Sequence, residues 1–326
     1  MYTLLKNLDR RWVFLAMGLS IAIPILMEAS FPEKPTGLSQ NVFDVIEGIE
    51  DGSTVLMAWD YDPASEGELG PMATAMCRHA CEKNFKMIFM SLFSPAAPQM
   101  VENTFDRVIE SDFPDLVYGV DYCNLGYKAG EEAVIKVVAT DIRSLFRTDQ
   151  YGTSLDDLQI MQNIKSVQDC AIIINVSAGY PGTQEWVQIV ATPYDMTMVS
   201  GCTGVQAPLF YPYIHPDQMP GMLAAIKGAA EYEALVMEQY GNTRPVYDDN
   251  GDPIVVGQRS VKDEDGNEVL AADGTVVMED VYQIPGKYLE GKRRMGPQLI
   301  AHIVIILLIV LGNWVFFQDR AREGRR

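Results

Sequence analysis

The chain has few of the residues on which metal sites and disulfide frameworks depend. It contains three histidines, and its five cysteines include no CxxC pair and no dense spacing. A zinc site or a small disulfide-stabilised fold needs more of these residues close together. We therefore predict no metal site, and we interpret Cys77 and Cys81, one helical turn apart, as small buried side chains.

The phosphate-binding motifs of nucleotide enzymes are also missing. The sequence has no Walker motif, and Gly67 and Gly70 alone do not reproduce the dinucleotide fingerprint GxGxxG. The neighbouring carboxylates of Glu66 and Glu68 would repel a pyrophosphate. We predict no nucleotide cofactor, and no other cofactor is indicated.

Positive charge is scarce, with 25 lysines and arginines against 44 acidic residues and a net charge of −19. Most of the acidic residues lie in the middle of the chain. Such a surface repels nucleic acid and favours cations or a basic protein partner. We expect no nucleic-acid partner.

Two apolar runs near the ends are almost free of charge: "WVFLAMGLSIAIPILM" at 12–27 and "LIAHIVIILLIVLGNWVFF" at 299–317. A helix rising 1.5 Å per residue needs roughly 20 residues to cross about 30 Å of hydrocarbon, so each run predicts a transmembrane helix. The first could instead be the apolar part of a signal peptide. However, "MEAS" at 27–30 does not offer a small residue at both positions that a signal peptidase reads.

Basic residues beside the spans predict the orientation. Lys6, Arg10 and Arg11 precede the first run, which favours a cytoplasmic N-terminus. Two spans then place both termini in the cytoplasm and the main domain outside it, in the periplasm if the cell is Gram-negative. The predicted organisation is a cytoplasmic N-terminus (1–11), a transmembrane helix (12–28), an extracytoplasmic α/β domain (29–241), an acidic β-rich segment (242–285), a connector (286–298), a transmembrane helix (299–317) and a basic cytoplasmic tail (318–326).

Between the spans, apolar runs typical of buried strands alternate with segments of helical period. This alternation predicts right-handed βαβ units, and hence a Rossmann-like or flavodoxin-like parallel sheet of about five strands with helices on both faces. The predicted strands are 53–60, 86–93, 116–121, 171–177 and 196–200.

Residues 242–285 differ in composition and contain turn signals such as "DDNGDP" and "DEDGNE". These turns between short valine-rich pieces predict an acidic β-hairpin insertion, or alternatively a flexible arm. Asp263, Asp265 and Asn267 alternate as calcium ligands do, but the glycine and the glutamate of an EF-hand loop are misplaced. We interpret them as hairpin turn residues.

The loop after the first predicted strand, "MAWDYDPASEGELG" at 57–70, is the most acidic strand-end loop. Ser65 and Glu68 have the spacing of a capping box, and acidic side chains are favourable at a helix N-terminus. Asp60, Asp62 and Glu66 could together hold a cation or a polar ligand, although capping and solvation are the simpler interpretation.

Two alternatives for the function involve a site at the strand ends, where open α/β sheets bind ligands. In a ligand-binding sensor, Asp121, Ser177 and Gly204 would join Asp60 and Asp62 around a pocket. In a hydrolase, Ser177 or Cys202 would be the nucleophile and His215 the base, although Ser177 lacks the GxSxG elbow.

Our main hypothesis is a membrane-anchored, non-enzymatic accessory or structural subunit of a membrane protein complex. The predicted strand-end loops are aromatic and, except for the first, poor in charge, which suits contact with a partner. The candidate contact residues are Phe210, Tyr211 and Tyr213 in "PLFYPYIHP" and His302 inside the second span. Burial of the aromatic segment against the sheet is an equal alternative, and hydrogen bonding at the membrane interface is the simpler interpretation of His302. The expected partners are membrane lipid, through the two spans, and other proteins of the complex.

Overall fold

A computed structural model describes residues 2–27, 34–261, 268–271 and 273–323 of the chain. The chain divides into two compact units. One unit combines residues 1–33 with 292–326, and the other is Lys34–Gly291.

The second unit is built on a six-stranded parallel sheet of order β3-β2-β1-β4-β5-β6. Its strands are β1 (Thr54–Asp60), β2 (Lys86–Ser91), β3 (Tyr122–Tyr127), β4 (Ile173–Ser177), β5 (Met198–Cys202) and β6 (Met222–Ala224). The central strands β1 and β4 are buried on both faces, which explains their nearly continuous apolar sequences. The Rossmann-like parallel sheet that the sequence predicts is therefore confirmed.

Helices flank this sheet. They are α3 (Gly37–Glu47), α4 (Glu66–Glu82), α5 (Ala97–Thr104), α6 (Glu110–Asp112), α7 (Glu132–Val138), α8 (Thr183–Trp186), α9 (Thr192–Tyr194), α10 (Ala207–Phe210) and α11 (Ala225–Tyr240). Phe105–Ile109 and Val187–Ala191 are π-helical turns that join α5 to α6 and α8 to α9. α4 packs against α11 and α5, and α11 also packs against α3. α7 packs against α8 and against the second π-helical turn.

Two strands differ from the predictions. β3 lies at Tyr122–Tyr127 and not at 116–121, where the chain instead forms turns closed by the Asp121 carboxylate, which accepts from the Val117 amide at 2.9 Å. β6 has three residues and ends before Ala225, the first residue of α11, which takes a positive φ of 56°. The sequence analysis predicts no strand here, because so short a strand has no readable period.

The segment after α11 contains an antiparallel pair, β7 (Val255–Ser260) and β8 (Met278–Tyr282). This part of the chain therefore contains an antiparallel strand pair. Asp263, Asp265 and Asn267 lie outside the described residues.

The first unit contains α1 (Tyr2–Lys6), α2 (Arg10–Leu26) and most of α12 (Glu290–Glu323). Lys6 Nζ forms an ion pair with Asp319 Oδ1 at 2.7 Å, so α1 is tied to the end of α12. Among the described residues, one helix is long and apolar enough to cross a membrane, Glu290–Arg322. α2 is a helix of 17 residues whose apolar side chains are largely exposed. The residues 28–30 of "MEAS" lie outside the described part.

Candidate functional site

The natural place for a ligand in this sheet is the carboxyl edge between β1 and β4. The strand order reverses there, and open α/β sheets bind ligands at such a switch point. Asp60 and Ser177, the last residues of these two strands, lie side by side in the register. The sequence analysis named both as ligand candidates, and the structure brings them together.

Asp60 is completely buried and accepts three hydrogen bonds. Its Oδ1 accepts from the Leu92 amide at 2.8 Å, and its Oδ2 accepts from Asn175 Nδ2 at 2.9 Å and from Trp186 Nε1 at 2.8 Å. Burial raises the pKa of this carboxyl to about 7, although the three donors act in the opposite direction. Asp60 is therefore engaged by the protein itself.

A chain of buried polar side chains continues from Asn175 through Thr183. Thr183 Oγ1 donates to Asn175 Oδ1 at 2.8 Å. Because this bond uses the only hydroxyl proton of Thr183, the hydroxyls of Ser200 at 2.6 Å and Ser177 at 3.0 Å must donate to it. Hydrogen-bond donation therefore runs in one direction, from the hydroxyls of Ser200 and Ser177 to Thr183, from Thr183 to Asn175, and from Asn175 to Asp60.

This network closes the switch point. Asp60, Asn175, Ser177, Thr183 and Trp186 are all buried, and the indole ring stands beside the end of β1. Buried polar groups that satisfy one another stabilise a core but offer no free donor or acceptor to a ligand. The polar side chains at the carboxyl ends of β1 and β4 are thus buried and bound to one another.

The remaining acids of the first loop also have structural partners. Asp62 accepts from the Ala64 amide at 3.1 Å in a tight turn, and Glu66 pairs with Arg107 at 3.3 Å. Glu68 Oε1 accepts from the Gly204 amide at 2.8 Å, which links the start of α4 to the loop after β5.

The predicted capping box is wrong. The Ser65 side chain makes no capping hydrogen bond, and the Glu68 carboxylate that would complete the box accepts instead from the Gly204 amide.

Asp121 does not join this site. It precedes β3 and therefore lies at the amino edge of the sheet, whereas Gly204 follows β5 at the carboxyl edge. The predicted pocket of Asp60, Asp62, Asp121, Ser177 and Gly204 therefore does not form as a single cluster.

In the hydrolase alternative, the candidate nucleophiles Ser177 and Cys202 are not hydrogen-bonded to the candidate base His215. The Ser177 hydroxyl binds Thr183, and His215 Nδ1 accepts from the Asp217 amide at 3.3 Å. Cys202 is buried, and burial raises the pKa of its thiol to about 12. A neutral, buried thiol is a poor nucleophile.

The candidate contact residues separate into buried and exposed ones. Phe210 is only 2% exposed and belongs to the core, so its predicted place on a contact surface is wrong. Tyr211 is 54% exposed, and the Tyr213 hydroxyl accepts from Gln188 at 2.6 Å. His302 is exposed on α12.

Sequence reasoning missed four members of the switch-point network: Asn175, Thr183, Trp186 and Ser200. Asn175 gave the available signal, because it is the one polar residue in the run "AIIINV" at 171–176, most of which belongs to β4. A buried amide needs partners, and these must come from neighbouring elements.

The described residues contain no group of three or more histidine, cysteine and acidic side chains that could hold a metal ion. Comparison of the chain with known protein families, with curated proteins and with solved structures finds no match.

Proposed function

We propose that the protein is a membrane-anchored, non-enzymatic accessory or structural subunit of a membrane protein complex, and that it binds its partner through its α/β domain. The observation that supports this most directly is the closed switch point. Trp186, Asp60 and Asn175 fill the position at which a catalytic sheet of this order opens to its ligand.

The proposed anchoring uses two spans, α12 and the shorter α2. Apolar side chains are exposed along both helices, as expected of surfaces that face lipid. With Lys6, Arg10 and Arg11 in the cytoplasm, the protein would be a double-pass protein of the cell membrane with both termini inside. The acidic α/β domain would then lie outside the cytoplasm, in the periplasm if the cell is Gram-negative.

The proposed contact surface is the segment after β5, which we call the β5 loop surface and define by Val205, Leu209 and Tyr211. Val205 is 88% exposed, Leu209 is 59% exposed, and Tyr211 continues the same segment. Exposed apolar side chains close together are typical of protein contact sites.

The test is purification of the full-length protein from its native membrane in a mild detergent, followed by quantitative mass spectrometry. We expect at least one companion protein in fixed stoichiometry. Recovery of the protein alone in several mild detergents would contradict the proposal.

A ligand-binding sensor is the second candidate function. It is favoured by one observation, a cavity with cationic side chains at the end of β3, which is at the edge of the sheet and away from the switch point.

A further inference from the structure

The cavity at the carboxyl end of β3 has a volume of about 460 Å³. β2 separates β3 from β1, so this cavity lies to one side of the closed switch point. Two chain segments form its walls, 125–128 at the end of β3 and 145–150 in the connection towards β4. We call it the β3 cavity.

Two cationic side chains line the β3 cavity, those of Lys128 and Arg147. Neither belongs to an ion pair in the described part of the chain. In a protein of net charge −19 acidic side chains outnumber basic ones, whereas the lining of this cavity has two cations and one acidic residue. Nearby lysines and arginines do pair, for example Lys136 with Glu132 and Arg143 with Asp156.

Main-chain hydrogen bonds fix the backbone of the two residues that carry these cations. The Lys128 amide donates to the Ser91 carbonyl at the end of β2 over 3.1 Å, and the Leu155 amide donates to the Arg147 carbonyl over 3.1 Å. The Lys128 ammonium also lies 5.6 Å from the centre of the Phe146 ring, a cation–π contact between two residues of the lining.

Asp149 is the one acidic residue of the lining, and its carboxylate is turned to its own loop. Oδ1 accepts from the amides of Tyr151 at 3.0 Å and Thr153 at 2.7 Å, and Oδ2 accepts from the Tyr118 hydroxyl at 2.9 Å. Asp149 is buried and makes no ion pair with Arg147. The cavity therefore presents its cations without a competing carboxylate ligand.

We propose that the β3 cavity binds a small anion that bears phosphate or carboxylate oxygens. The planar guanidinium of Arg147 matches two such oxygens at once, and Lys128 adds a second positive charge. Thr148 and Gln150, which also line the cavity, can add neutral donors. Concave walls concentrate the field of the two cations against the negative surface around them.

The test is isothermal titration of the full-length protein in detergent at low salt, with inorganic phosphate and with succinate as separate probes. We expect at least one probe to bind the wild-type protein, and the one that binds distinguishes a phosphate site from a carboxylate site. Lys128→Gln and Arg147→Gln should each weaken this binding about tenfold or more, since each removes a charge-assisted hydrogen bond. Arg147→Lys, which keeps the charge and loses the planar fork, should give an intermediate affinity.

Lys136→Gln is the matched control. It removes the same charge from an exposed position on α7, outside the cavity, and should bind as the wild type does. Circular dichroism melting of every variant checks that the fold is kept. Absence of binding by the wild type at millimolar probe, or equal affinity in the cavity variants and the control, would overturn the proposal. The proposed subunit role would stand in that case, because it depends on a different surface.

Discussion

The indole N–H of Trp186 donates to Asp60 Oδ2 over 2.8 Å, and both side chains are completely buried. This bond joins the helix after β4 to the end of β1, across the point at which the sheet changes direction. Ligand-binding sheets of this order have an open crevice at this point, whereas here the side chains of Trp186 and Asp60 are buried and bound to each other.

The first prediction tests this bond. Trp186→Phe should lower the free energy of unfolding by about 1–3 kcal/mol more than Trp59→Phe, because it leaves a buried carboxylate short of one donor. Trp59 is the matched control, since it is equally buried and its Nε1 has no hydrogen-bond partner. Urea denaturation of the two variants gives the comparison. Equal losses would show that the bond contributes nothing.

A second prediction concerns pH. The pKa of Asp60 is raised from 3.8 to about 7 in the folded protein, so the unfolded chain releases this proton first as the pH rises. The contribution of Asp60 to stability is therefore complete below pH 3.8 and is lost as the pH rises towards 7. The loss is about 4 kcal/mol in total, at about 1.4 kcal/mol per pKa unit. Denaturation between pH 4 and 8 should show this loss in the wild type relative to Asp60→Asn.

Asp169 is the control of opposite sign. Backbone donors, first of all the Ser166 amide, lower its pKa below 3.8. Its contribution should therefore be present above pH 3.8 and be lost only below it, so that Asp169→Asn leaves the slope between pH 4 and 7 unchanged. A wild type and an Asp60→Asn variant with parallel curves in this window would contradict the assignment.

A third prediction separates two neighbouring aromatic residues. Phe210→Ala should destabilise the protein by about 3–5 kcal/mol because Phe210 is in the core, whereas Tyr211→Ala should change the stability by less than about 0.5 kcal/mol. Thermal melting of the two variants decides this. Comparable losses would mean that Tyr211 is packed too and is not part of an exposed surface.

A fourth prediction concerns the cysteines, all five of which are free and buried. Burial raises the pKa of the Cys123, Cys170 and Cys202 thiols, so the native protein should react slowly with iodoacetamide at pH 8. Mass spectrometry should find five modified cysteines after unfolding and almost none before. Rapid native modification of Cys202 would revive the hydrolase alternative.

The sequence predicts the centre of this fold better than its edges. β1 and β4 are recognisable because strands covered on both faces must be apolar throughout. β3 is an edge strand with the sequence "YCNLGY". Its polar and glycine residues make it a weaker strand candidate than the preceding segment 116–121. Local pattern cannot identify an edge strand whose place depends on pairing with β2.

The candidate site was only half predictable for a related reason. Asp60 and Ser177 were found because they end apolar strands. Their partners Trp186 and Thr183 lie in α8, whose four residues are too few to show a helical period. A carboxylate at the end of a strand is exposed or buried according to side chains that are distant in the sequence, as Trp186 is from Asp60. The local sequence around Asp60 does not identify such a partner.

The most direct test of the proposed role is a comparison of two valine variants in native purification. Val205 belongs to the β5 loop surface, whereas Val117 is 55% exposed before β3 at the opposite edge of the sheet. Val205→Asp should release the companion proteins that mass spectrometry finds with the wild type, and Val117→Asp should retain them, with equal melting temperatures for both variants. Full retention by Val205→Asp combined with Leu209→Asp would contradict docking through this surface.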